Sequence, residues 1–369
     1  MFQRYNQEQI PRDRHPVGEA VLFAENLPSD KNRKTLEPLG AAILRMRLVA
    51  SGEFMFESHR NDTVMKSLNA RLALVFLVVV AAVACACSPQ NYIVSRAADA
   101  LSSDGGAFAQ DDDPELVRDA IPFALKTMES LLARQPRHKG LLLSLSKGFT
   151  QYSAAFVLQD ALEEEDLSAR AEKILRARRL LLRAKNYGLR GLSVDHEGFA
   201  SDISADPVKT AALAGLSEVP LLYWTSAAWS LAVSHSSGDP LMLADLPRCE
   251  ALMRRALELD ESYDSGAIHE YFIAFEGGRP AAMGGSMEKA RRHFERALEL
   301  SGERKVSPLV VYAETISVRT QNKKEFLELL DRALQFNARE SAPEFTLANL
   351  VAQRRARWLK GRIDDLFLE

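Results

Sequence analysis

The sequence predicts an all-α protein of stacked helical hairpins, on three observations. Apolar residues recur at three- and four-residue spacing from Pro114 to Phe367, no alternating strand pattern runs longer than a few residues, and one short sequence recurs at helix ends. That sequence is Arg-Ala-Leu-Glu-Leu-Asp at 255–260, Arg-Ala-Leu-Glu-Leu-Ser at 296–301 and Arg-Ala-Leu-Gln-Phe-Asn at 332–337, with a weaker copy at Arg183-Ala184-Lys185-Asn186-Tyr187. The 369 residues are 47% hydrophobic and 26% charged with a formal net charge of −3, ordinary values for a globular protein, and nothing in them asks for nucleic acid as a partner.

Residues 1–64 have mixed charge, Pro11, Pro16, Pro28 and Pro38, and one stretch of helical pattern at 39–50. They are read as a start-site artefact or disordered extension, with Met65 as the true first residue, because an apolar run follows from Leu72 to Cys87 with Lys66 and Arg71 before it. Sixteen such residues rise only about 24 Å as a helix, short of a bilayer core, and so suit the core of an export signal at 65–86. At its exit Ala84-Cys85-Ala86-Cys87 puts small residues before a thiol, the requirement for cleavage and lipidation, with Cys87 chosen over Cys85. The usual Leu three positions earlier is Ala84, so a retained membrane anchor and simple cleavage stay open as alternatives. Ser88 after the cysteine favours the outer membrane slightly. Residues 87–113 are then an anchor and tether, rich in Ser, Gly and Asp from Leu101 onward.

The domain at 114–369 starts with Asp113 as an N-cap and Pro114 as the first helical residue. Each later repeat ends a helix with small-large-small spacing: Ala177-Leu181-Ala184, Cys249-Met253-Ala256, Ala290-Phe294-Ala297 and Phe326-Leu330-Ala333. This resembles the second helix of a tetratricopeptide (TPR) hairpin, where small residues allow close approach and the large one fills the groove between hairpins. A fifth candidate is Ala124-Met128-Leu131 before Pro136, with 141–158 as its partner helix. The last alanines of the four copies are 72, 41 and 36 residues apart, against 34 for a regular array, so insertions interrupt the stack. Cys249 is expected to pack as a small apolar residue, and with Cys85 and Cys87 in the signal no disulfide framework exists.

Motifs for chemistry are weak. The body's five histidines fall at no metal-ligand spacing, and His269-Glu270 lacks a second histidine because position 273 is Ile. Two Ser-x-x-Lys matches stand without companion motifs, and neither a nucleophile elbow nor a phosphate-binding loop is present, so the chain reads as no enzyme with no cofactor and no metal. Ser286 at the end of the Gly-rich loop 277–286 reads as a helix start. The residues selected for ligand or partner binding are aromatics on first helices of hairpins: Phe149, Tyr152, Tyr223, Trp224, Trp229, Tyr271 and Phe272, with a core role as the alternative. In the helix around Arg354, Arg355 and Arg357 the three arginines cannot share a face at 100° per residue, so at least one packs or pairs internally.

Six segments follow in order: Asp111-Asp112-Asp113-Pro114, Gly148-Phe149-Thr150-Gln151-Tyr152, Asn186-Tyr187-Gly188-Leu189-Arg190, Val219-Pro220-Leu221-Leu222-Tyr223-Trp224, Gly266-Ala267-Ile268-His269-Glu270 and the Gly-rich loop through Gly285, with Arg362-Ile363-Asp364-Asp365 closing the series. Together they resemble the T component associated with TRAP transporters, a family of lipoproteins with degenerate TPR units. The resemblance implies a homotrimer, association with the periplasmic solute-binding subunit, and a partly apolar pore or crevice for a small organic or hydrophobic ligand such as a carboxylate. The expected function is a lipid-anchored periplasmic accessory protein of a TRAP-type solute transporter. The alternative is a TPR scaffold lipoprotein for envelope assembly that binds peptides or other proteins.

Overall fold

A computed structural model of the chain describes residues 72–75, 107–236 and 238–368. Residues 1–80 and 81–369 form two units. In the first, 72–75 is a helical turn with Leu72, Leu74 and Val75 exposed. The rest of the expected signal, the 1–64 extension and Cys87 lie outside the described residues.

The described body is all-α. Helix α1 (Pro114–Arg134) starts as expected: the Asp113 carboxylate accepts the N–H groups of Glu115 and Leu116 at 3.1 and 3.0 Å, and Pro114 takes the first position, where no N–H is needed. Its buried stripe is Val117, Leu125 and Leu132, with Ile121 and Met128 partly buried beside them. The stripe anticipated through Ala124 and Leu131 is therefore offset by one residue, and both of those side chains keep accessible surface.

Helix α2 (Lys139–Tyr152) runs on through a π-helical turn, Ser153–Leu158, into Gln159–Glu163. Its partner is α3 (Leu167–Leu192), capped by Asp166 through the Ala169 N–H at 2.7 Å, so α2 and α3 are the first hairpin and α1 is a leading helix packed on α2. Helix α4 (Val219–Ser234) is apolar on every side and is covered on every side, by α2 and α3 on one flank and by its hairpin partner α5 (Leu246–Leu259) on the other. Close approach of α3 and α4 needs Gly188: a Cβ there would lie 2.0 Å from Thr225 Oγ1 and 3.0 Å from Ser146 Oγ. Helices α6 (Tyr263–Gly278) and α7 (Met287–Ser301) form the third hairpin, with Ser286 Oγ capping α7 at the Lys289 N–H. The fourth is α8 (Ser307–Tyr312), which continues through a second π-helical turn at Ala313–Ser317, against α9 (Lys323–Gln335). Helix α10 (Thr346–Gly361) lies on both of its helices.

The small-large-small positions are where the hairpins meet. Ala177, Leu181, Ala184, Cys249, Met253, Ala256, Ala290, Ala297, Phe326, Leu330 and Ala333 are all essentially inaccessible, and Phe294 alone keeps some surface, with its ring 4.3 Å from Tyr312. The long gap between the first two copies holds the short helices Phe199–Ala205 and Pro207–Ala211 and the 3₁₀ turn Leu216–Glu218. Buried Glu218 pins this insertion to α2: it takes a hydrogen bond from the Gly215 N–H, bonds His196 at 2.9 Å and pairs with Lys139 at 3.4 Å. Burial works against its charge, but these partners outweigh it and hold the carboxyl below the usual range.

The two ends of the array meet. Arg354 on α10 bonds Glu163 at 3.1 and 2.5 Å and Asp160 at 3.0 Å, and Asp160 also pairs with Arg118 of α1. Arg339 pairs with Asp112 at 2.8 Å, Leu347 packs on the first hairpin's core, and the helical turn Ala107–Gln110 lies against α10. The stack thus closes on itself. Arg355 is turned the other way, paired with Glu314 and held 4.4 Å over the Trp358 ring, while Arg357 is exposed. The expectation that the arginines cannot share a face holds.

Candidate functional site

The seven selected aromatics lie on α2, α4 and α6, and the structure sorts them into two kinds. Phe149, Tyr152, Trp229 and Phe272 are buried in helix contacts. Phe149 stacks 6.0 Å from Tyr187 of α3; Tyr152 accepts a hydrogen bond from Arg176 at 3.3 Å; Trp229 Nε1–H donates to Asp245 at 2.8 Å under the Lys185 ammonium; Phe272 stacks on His293 at 4.9 Å. Tyr223 and Tyr271 keep accessible surface, and Trp224 lies edge-on to Tyr223 at 4.9 Å.

Around Tyr223 the structure assembles a group that motif reading passed over. Tyr263, at the start of α6, is 5.3 Å from Tyr223, and its hydroxyl accepts the Trp224 indole N–H at 3.2 Å. Lys147 of α2 stands 6.0 Å from the Trp224 ring centre. About two turns further along α6, Glu270 accepts a hydrogen bond from Ser307 Oγ at 2.8 Å, and Tyr271 OH shares one with Ser230 Oγ of α4 at 2.7 Å. Trp224 is thereby anchored at both its ring edge and its nitrogen.

The backbone at the base of this group is strained. Asp264, Ser265 and Gly266 are all left-handed, with φ of 45°, 52° and 88°, conformations that cost non-glycine residues about 1 kcal/mol or more each. Two contacts offset that cost. Lys305, itself buried, gives its ammonium to the Asp264 carbonyl oxygen and pairs with the Asp264 carboxylate at 3.1 Å, and Gly266 lies so close to α7 that a Cβ would stand 3.2 Å from the Ala297 Cα. An Asp-Ser-Gly run is the sequence cue, since Asp, Ser and Gly tolerate such turns, but nothing along the chain pairs it with Lys305, forty-one residues on.

Electrostatically the group favours neutral tyrosines and works against the charge on Glu270. Burial, helped by the charges of Glu270 and Asp264, pushes Tyr223 well above the ordinary tyrosine value, and burial raises Tyr271 likewise. Burial also raises Glu270 against the opposing pull of Lys305 and Ser307. The result is a surface of aromatic faces and hydroxyl groups with one acid and one buried cation at its edge. Such a surface holds an apolar body and orients a polar end.

Among the described residues no helix is long and apolar enough to cross a membrane. Cys249 is free and fully buried, and burial pushes its thiol up to about 12, so it packs as the small apolar residue expected.

Comparison with known proteins gives two matches. An uncharacterized protein of Treponema pallidum (strain Nichols) is 31% identical over 268 residues, covering 71% of this chain and 83% of the other. The family model described as TRAP transporter T-component matches residues 110–367, the whole helical body from the turn before α1 to the residue after Leu366. The chain belongs to the TRAP transporter T-component family.

Proposed function

We propose that this chain is a lipid-anchored accessory subunit of a TRAP-type transporter, held at Cys87 on the periplasmic side of the envelope, which docks the solute-binding subunit and holds or conveys a small organic ligand with an apolar portion. Family membership supports the transporter role. The observation that carries the ligand reading is the part-exposed set Tyr223, Tyr263 and Tyr271 on neighbouring first helices, with Glu270 beside them. The hydroxyl groups of Tyr263 and Tyr271 are bonded across helices, so an aromatic surface is held ready at small ordering cost when a ligand arrives. TPR-like hairpins and a homotrimer fit this reading, and the anchor would keep the body close to its membrane subunits.

The test is affinity capture from envelope extract with the wild-type chain and with Tyr223→Ala/Trp224→Ala/Trp229→Ala, identifying captured proteins and co-purified small molecules by mass spectrometry. The expected result is recovery of a TRAP solute-binding subunit together with a ligand that the folded triple variant retains at least tenfold less well. Capture of envelope assembly proteins alone would move the reading to a scaffold. A ligand profile unchanged in the folded variant would remove these aromatics from the site.

A further inference from the structure

Helix α3 carries eight basic side chains and one acidic one, Glu172, in a chain whose net charge is −3. The excess is organised. Arg179, Arg183, Asn186 and Arg190 follow one another at helical spacing, making a stripe about 16 Å long, and all four are exposed. With Leu182 and Tyr187 they line an open cleft of 560 Å³. Two of the guanidinium groups are held in place. Arg183 lies 5.4 Å over the Phe149 ring and 3.5 Å from Glu129, and Arg190 lies 5.5 Å over Tyr187 while donating to the Pro136 carbonyl at 3.2 Å. Arg179 makes no ion pair among the described residues.

Exposed apolar side chains lie on α3 and α1. Leu175 and Leu167 are exposed on α3 itself, and Phe123 and Leu116 are exposed on the adjacent α1. The two helices run side by side in the same direction, since Glu129 meets Arg183 and Tyr187 while Pro136 meets Arg190. The incoming chain joins the body at the N-terminal end of α3, about 18 Å along the helix from Arg179: Arg118, one turn into α1, pairs with Asp160, shortly before the start of α3. Only nineteen residues separate Cys87 from Ala107, a reach of about 70 Å when extended.

We infer that the arginine stripe of α3 is a docking surface for an anionic phospholipid membrane, with the guanidinium groups on headgroup phosphates and the exposed leucine and phenylalanine side chains entering the interface. A flat anionic surface matches a straight row of cations on one exposed helix face, and fixed guanidinium forks suit phosphate oxygens. The stripe lies apart from the aromatic group of α4 and α6. It would orient the body on the membrane.

The experiment uses residues 107–369, which contain every residue of the four hydrophobic clusters and lack Cys87, so that binding cannot come from a lipid anchor. Co-sedimentation is measured with vesicles of phosphatidylcholine alone and of phosphatidylcholine mixed with phosphatidylglycerol. The expected result is partition onto the mixed vesicles only, falling steeply with salt, at about fivefold for each unit of charge removed. Arg179→Glu/Arg183→Glu should then bind at least tenfold less, and Arg179→Lys/Arg183→Lys should bind nearly as well as wild type. If the double variant loses helical circular dichroism, Arg179→Glu alone serves, because that side chain has no ion pair to lose among the described residues. Equal partition onto both vesicle types, insensitivity to salt, or an unchanged Arg179→Glu variant would overturn the inference. So would a complex between copies that the charge reversals dissociate, since the stripe would then be covered by a second copy. Neither outcome bears on ligand capture by the aromatic group.

Discussion

His293 shows how one side chain ties packing to pH. Its ring lies flat on Phe272 and bonds His269 Nδ1 to Nδ1 at 2.9 Å, with Arg254, Arg292 and Lys289 nearby and Glu261 and Arg296 on the far side of His269. Burial, and then the charges of His269 and Arg254, push its pKa from 6.5 down to about 4. The native protein therefore keeps it neutral where the unfolded chain would protonate it. Its contribution to stability is fully present above pH 6.5 and is lost as pH falls from 6.5 through about 4. At about 1.4 kcal/mol per pKa unit, discounted for the surface the side chain keeps, the loss is about 2 kcal/mol. His293→Phe preserves the stack and removes the titration, at the cost of about 1 kcal/mol for the hydrogen bond at neutral pH. Urea unfolding across this pH window should show a flatter slope for the variant; an unchanged slope would assign the acid loss to another group.

Among the elements, the hairpin contacts were legible because they depend on volume repeated in sequence. Wherever the spacing of a large residue three positions before an alanine recurs at these helix ends, helices approach closely, and the residue types record it. The cap at Asp113, the start at Ser286 and the divided arginines of α10 were legible for the same local reason. What could not be read was anything set by pairing across more than thirty-five residues: Lys305 on the left-handed turn at Asp264, Glu270 with Ser307, and the join between Arg354 and Glu163. The aromatics were correctly placed on first helices, yet composition alone could not separate the buried Phe149, Trp229 and Phe272 from the part-exposed Tyr223 and Tyr271. Gly188 sits between these cases, a visible glycine whose partner is not visible. Gly188→Ala would drive a methyl group into Thr225 and should cost about 2 kcal/mol, more than its gain in helix propensity of about 1 kcal/mol returns. Because the clash is with Thr225 Oγ1, Gly188→Ala/Thr225→Ala should be less destabilised than the sum of its single changes, and thermal unfolding of the four proteins of this cycle measures that coupling.

At the scale of the whole body, closure distinguishes this array from an open stack. An open array of helical hairpins has two free ends, and because each unit leans only on its neighbours, it frays from both. Here the first hairpin and α10 lean on each other through Arg354, Glu163 and Asp160, the Leu347 contact and the turn Ala107–Gln110. Burial opposes the charge on Glu163, but hydrogen bonds from Arg354 and Gln159 outweigh it and hold the carboxyl below its ordinary range, so the join strengthens above that range and weakens in acid. Partly exposed ion pairs are worth about 1 kcal/mol each, so Arg354→Ala should remove about 1 to 2 kcal/mol: too little to unfold the body, enough to open the join about tenfold more often. Hydrogen exchange should then speed up by about that factor in Ala107–Gln110, α1 and α10 and stay unchanged in α5 to α7. Uniform loss of protection would mean that the body opens as one cooperative unit, and no change anywhere would mean that apolar packing alone carries the join. The local outcome bears on the proposed function: if the join holds the first helices in place, a ligand held by Tyr223 and Tyr271 would leave faster from Arg354→Ala although no residue near it had changed.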